Sequence, residues 1–87
     1  MNATQKKIVA MREGNVGKVE ILLKAIATWF GETTNYEGFT RIPRGFTRKV
    51  LANYMGISHT TLSTTLNELV HADLIFIQNQ RLHILMN

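Results

Sequence analysis

Apolar residues recur at three- and four-residue spacing through "VGKVEILLKAIATWF": Val16, Val19, Leu22, Leu23, Ile26, Trp29 and Phe30. That spacing predicts an amphipathic helix with these residues inward. Gly31 ends it as a C-terminal glycine. Before it, residues 1–13 carry only a scattered apolar set, Ile8, Val9 and Met11, and Gly14 with Asn15 interrupts them. "ETTNYEG" reads as loop. "FTRIP" is short, with Phe39 and Ile42 apolar, and Pro43 bars it from a central strand, so it reads as an edge strand.

Thr47 is placed to cap a short helix, "RKVLANYM", with Val50, Leu51, Tyr54 and Met55 expected inward. Gly56 breaks that pattern and Ile57 returns inward. Ser58 can cap a further helix from His59 to about Ala72, whose apolar positions are Leu62, Leu66, Leu69 and Val70. The chain closes on two β-rich segments, Leu74 to Ile77 and Leu82 to Leu85, around Gln78-Asn79-Gln80, which suits a tight turn. The order is helix, strand, helix, turn, helix, hairpin. Trp29, Phe30 and Phe46 are expected in the core.

Two details of the paired short helices set them apart. Ala52 falls where two crossing helices need a small side chain, and Gly56 lies four residues on, where the chain must turn. Leu62 comes six residues later and pins the second helix to the first. A following hairpin makes this an α+β winged helix: a three-helix core with a helix-turn-helix, a short edge strand and a C-terminal β-hairpin wing. With Leu62, Leu66 and Leu69 inward, the opposite side of the last helix carries His59, Thr60, Ser63 and Thr64, with Thr61 at the flank. Short hydroxyls on an outward helix start allow close approach to the major groove of DNA.

Composition adds a modest push in the same direction. The 87 residues hold ten Lys and Arg against six Asp and Glu, a net charge of +4. From Phe39 onward five bases face two acids, which favours a polyanionic partner. There is no cysteine, so neither disulfides nor thiolate metal ligands are available. No apolar run reaches the ~20 residues that span a bilayer, and no signal pattern opens the chain, so a cytoplasmic protein with no membrane partner is expected. His59, His71 and His83 lie twelve residues apart, a spacing with no metal-site precedent. No phosphate loop, nucleophile elbow or acid pair is present, so no enzymatic activity is expected.

The stretch "FTRKVLANYMGISHTTLSTTLNELVHADLI" resembles the C-terminal DNA-binding domain of the Crp/Fnr transcription regulators. "VGKVEILLKAIATWF" is similar to that domain's first helix, and "LIFIQNQRLHIL" falls at its wing. The resemblance implies residues 15–87 as the winged helix and residues 1–14 as the tail of a dimerisation helix. It implies double-stranded DNA as partner, a homodimer in the intact regulator, and RNA polymerase as a further contact. No cofactor is expected in this chain, because the family's effector-binding β-roll precedes this domain and is missing here.

By the same resemblance, His59, Thr60 and Thr64 match the main base-reading positions, and Thr47, Arg48 and Lys49 match phosphate-contact positions. Ser58, Arg44 and Arg81 complete the expected phosphate set, and Thr61 and Ser63 the base-reading set. Many family members carry Arg, Glu and Arg at the three base-reading positions. This chain has none of them, which implies a different operator. The same departure keeps a second reading open, a winged helix used for protein contact or dimerisation without DNA.

Overall fold

A computed structural model describes residues 14–86. The expected tail of a dimerisation helix therefore lies outside the described residues, apart from Gly14. Among the described residues, three helices precede and interleave a small sheet: α1 (Asn15–Phe30), β1 (Phe39–Arg41), α2 (Arg48–Met55), α3 (His59–His71), β2 (Ile75–Gln78) and β3 (Arg81–Leu85). This is the α+β winged-helix arrangement read from the sequence.

The helices form where apolar spacing supplies a shared face. Val19, Leu23, Ile26 and Ala27 of α1 meet Leu51 and Ala52 of α2 and Leu62, Leu66 and Leu69 of α3 in one core. Ala52 is 1% exposed, as a close crossing of helices requires. Ile42, Ile75, Leu82 and Ile84 close the core from the sheet side. Burying side chains of this size contributes roughly 1.5–3 kcal/mol each relative to exposure, and this term holds the three helices together.

The sheet is antiparallel in the order β1-β3-β2. β3 is central, pairing Ile84 with both Thr40 and Ile75. Alternation puts Leu82 and Ile84 into the core and His83 on the opposite side. There Phe76 stacks on His83 at 4.3 Å, and Tyr36 and Phe39 pack edge-on to Phe76. The hairpin turn is Asn79-Gln80, both with positive φ (52° and 62°), the pattern of a type I′ turn.

The short connections after α2 and after α3 each turn on one left-handed residue. Gly56 (φ 68°) follows α2, and its N–H donates to Asn53 O while the Ile57 N–H donates to Ala52 O. That is a Schellman termination. The same pattern recurs after α3, where Asp73 takes φ 59°, its N–H donates to Val70 O and the Leu74 N–H to Leu69 O.

Four residues expected inward are not. Trp29 is 79% exposed, Phe30 63%, Tyr54 77% and Val50 46%. The helical angle explains this: Trp29 stands two residues, ~200°, beyond the buried Ala27. Val50 and Tyr54 share a face four residues apart, flanking the buried pair Leu51 and Ala52. Phe46 does pack against the core and also touches Phe30, ring to ring at 5.9 Å. Gly31 does end α1, but with φ −63°, so its role is not the left-handed one.

Candidate nucleic-acid interface

The start of α2 is fixed by Thr47, whose Oγ1 accepts the Val50 N–H at 3.2 Å. The start of α3 is fixed by Ser58, whose Oγ accepts the Thr61 N–H at 3.1 Å. Ser58 Oγ also donates to Thr61 Oγ1 at 2.9 Å. Thr65, one turn on, is buried and donates its hydroxyl to Thr61 O at 2.8 Å. These internal bonds account for Thr47, Ser58, Thr61 and Thr65.

His59, Thr60, Ser63 and Thr64 are different. All four are exposed, and they lie on the side of α3 away from buried Leu62, Leu66 and Leu69. Thr61 is half-buried at the flank. The helix therefore offers solvent a surface of hydroxyls and one imidazole, with a rigid apolar back.

A second feature lies between the α2 start and the wing. Ile42, Pro43, Phe46 and Leu82 floor a cleft of about 510 Å³ walled by Arg44, Thr47, Arg48, Lys49, Asn79, Gln80 and Arg81. Four of its walls are cations and none is an acid. Arg44, Arg48 and Lys49 are exposed. The structure thus brings together five of the six residues expected at phosphate, leaving Ser58 at the start of α3. The cleft does not include the α3 hydroxyls.

Arg81 departs from the sequence expectation. Its side chain is only 14% exposed and its Nη2 donates to Glu32 Oε1 at 2.6 Å and to Ile42 O at 3.1 Å. Its Nε is buried without a partner among the described residues. Arg41 Nε reaches the same Glu32 oxygen at 2.8 Å. These two guanidinium groups lower the Glu32 carboxyl below its ordinary pKa, through the hydrogen bond from Arg41 first and that from Arg81 second. Arg81 is thus tied through Nη2 to Glu32 and to the Ile42 carbonyl. Nothing in the sequence spacing signals this, since Glu32 and Arg81 are 49 residues apart.

Two other groups escape sequence reasoning. Glu20 is 4% exposed and paired with Lys24 at 3.3 Å. His83 is buried, with Nδ1 3.1 Å from Arg81 O. The β-alternation of "RLHIL" could have placed His83 opposite Leu82 and Ile84. Among the described residues, no group of three or more His, Cys, Asp or Glu is arranged to hold a metal ion. Nor is any described helix long and apolar enough to cross a membrane.

Comparison with known proteins agrees with the fold. The model of the Crp-like helix-turn-helix domain matches residues 19–86. No curated protein matches the chain by sequence. Among solved structures it is similar to OCPA-complexed CprK, at 15% identity and a TM-score of 0.66, covering 97% of this chain and 39% of that one. It is similar as well to oxidised CprK in complex with o-chlorophenolacetic acid (14% identity, TM-score 0.64, 95% and 35% covered). Unbound oxidised CprK gives 15% identity and a TM-score of 0.63, with 97% and 40% covered. The chain thus spans about two fifths of the length of these structures, and at such identity they speak for the fold alone.

Proposed function

The chain belongs to the Crp-like helix-turn-helix domain family, a DNA-binding domain of transcription regulators, and from this premise we propose how it reads DNA. The start of α3 enters the major groove. Thr60, Ser63 and Thr64, with His59, meet base edges there. Arg44, Arg48 and Lys49 grip phosphates from the cleft beside the wing, assisted by the α2 cap at Thr47 and the α3 cap at Ser58. The observation that carries this reading is the exposed hydroxyl face of α3, held outward by three fully buried leucines.

Hydroxyls recognise bases differently from arginine. Each can donate or accept, and a Thr methyl can pack on a thymine methyl. An Arg bidentate to guanine is worth roughly 1–3 kcal/mol of discrimination, and this face lacks it. Its selectivity rests on hydroxyl contacts, bridging water and DNA shape. A single module makes few contacts. The intact regulator therefore binds paired half-sites as a homodimer, in the cytoplasm, with its effector bound in a domain beyond this chain and RNA polymerase as a further contact.

A second reading, protein contact, is favoured by the exposed Trp29 and Tyr54. Titration against random duplex DNA separates the two. The DNA reading expects binding at low salt, with Kd of the order of 10⁻⁴–10⁻⁶ M near physiological salt. Replacing Arg48 and Lys49 together with Ala lowers the slope of log K against log salt by about 0.9 for each lost contact. An unchanged slope removes the two from the phosphate set. No binding even at low salt leaves the protein-contact reading standing.

A further inference from the structure

Glu32 occupies an unusual position. Its backbone pairs with Arg41 in an isolated β-bridge, each N–H donating to the other's carbonyl at 2.9 Å. Its side chain takes both Arg41 and Arg81 on one carboxylate oxygen. Arg81 is a wall of the cationic cleft it shares with Arg44, Arg48 and Lys49. One anion behind the wall therefore occupies the least exposed of the four cations.

We propose that Glu32 is a positioning residue that limits the charge this cleft displays to nucleic acid, by keeping Arg81 on itself and on the Ile42 carbonyl. The proposal rests on the reading of the cleft as phosphate-binding. The physics is a competition for one guanidinium. A carboxylate 2.6 Å from Nη2 makes a charge-assisted bond, about twice as strong as a neutral one. Glu32 and the Ile42 carbonyl hold Nη2, and Nε is buried, so a phosphate must break the Nη2 bond to draw the guanidinium out into the cleft. With a neutral partner in place of Glu32 the balance reverses. Arg41 and Arg81 then lie close together with no anion between them, and a phosphate becomes the better acceptor. The consequence for the native chain is restraint. Each added phosphate contact strengthens binding to every sequence alike, so what the pairing holds down is the overall affinity for DNA and its salt dependence.

The test compares native chain, Glu32→Gln, Arg81→Gln and the double variant by fluorescence anisotropy with a random duplex. Glu32→Gln retains the backbone bridge and an acceptor oxygen. Binding is followed from about 50 to about 200 mM salt, where one extra phosphate contact weakens the complex by a further ~3.5-fold. Glu32→Gln is expected to bind more tightly at the low end, with a slope steeper by about 0.9. The double variant is expected to return to the native slope, because the gain passes through Arg81. Arg81→Gln alone is expected to keep the native slope.

A loss of about 0.9 in the slope of Arg81→Gln overturns the proposal, since Arg81 would already be on phosphate in the native chain. That arm stands even if Glu32→Gln folds poorly, which circular dichroism reports. An unchanged slope in folded Glu32→Gln also overturns it, and leaves the DNA reading intact. Failure of the native chain to bind at any salt removes the DNA reading itself.

Discussion

Gly31→Ala should destabilise the protein, for a reason that has nothing to do with backbone freedom. Gly31 has φ −63° and ψ 155°, which any residue adopts. A β-carbon there would overlap the Thr40 methyl and the Ala27 carbonyl oxygen, and lie 3.0 Å from the Ala27 carbonyl carbon. The glycine exists so that the end of α1 can press against β1. The methyl of Thr40 can rotate away. The Ala27 carbonyl cannot, because it belongs to the helix and accepts the Gly31 N–H at 3.0 Å.

Overpacking of this kind costs ~1–3 kcal/mol. Against it stands a gain of ~0.4–1 kcal/mol from the stiffer unfolded chain. A net loss of ~1–2 kcal/mol is expected. A domain of this size loses about 4–8 °C of Tm per kcal/mol. Thermal unfolding followed by circular dichroism should therefore show a fall of roughly 4–16 °C. Thr40→Ala in the same chain should recover part of it, since neighbouring sites couple by ~0.5 kcal/mol or more. A Gly31→Ala variant as stable as the native chain, or more stable, would refute the close-approach argument. The contrast is Gly56→Ala, where nothing lies within reach of the added carbon and φ 68° alone makes the substitution costly, by ~1–2 kcal/mol.

Ser58→Ala removes the α3 cap and should cost ~1 kcal/mol by urea unfolding; no loss would mean the cap bond is not sustained in solution. Gln80→Gly should raise stability by ~1 kcal/mol, because Gln80 holds φ 62° in the wing turn; a fall in Tm would contradict the turn assignment. Glu32 is paired with two arginines and titrates below its ordinary value of 4.5, so its stabilisation is complete above 4.5 and is lost as pH falls through the lower folded-state value. The Tm gap between native chain and Glu32→Gln should therefore narrow as the solution is acidified below 4.5, and a gap that widened would reverse the sign of this linkage.

Much of this arrangement can be read from residue spacing. Leu62, Leu66 and Leu69 declare the inner face of α3, and Ala52 with Gly56 declares the turn between helices. Both follow from local rules that do not depend on distant partners. Other features depend on what packs from afar. Trp29 and Phe30 continue the apolar run of α1, but the helix stops before a neighbour covers them. Val50 and Tyr54 are apolar enough for a core, yet α2 is so short that only Leu51 and Ala52 are buried in one, with Met55 packed against it. Arg81 looks like any wing cation until the chain between it and Glu32 has folded. The aromatic group of Tyr36, Phe39, Phe76 and His83 needs the β1–β3 pairing, which no short-range signal specifies.

The outward face of α3 can be probed directly by recording amide NMR spectra of the 87-residue chain while duplex DNA is added at low salt. The account predicts the largest shifts at His59, Thr60, Ser63 and Thr64, with lesser ones at Arg44, Arg48 and Lys49. Shifts confined to the opposite surface, around Ile21 and Trp29, with α3 unmoved, would contradict it.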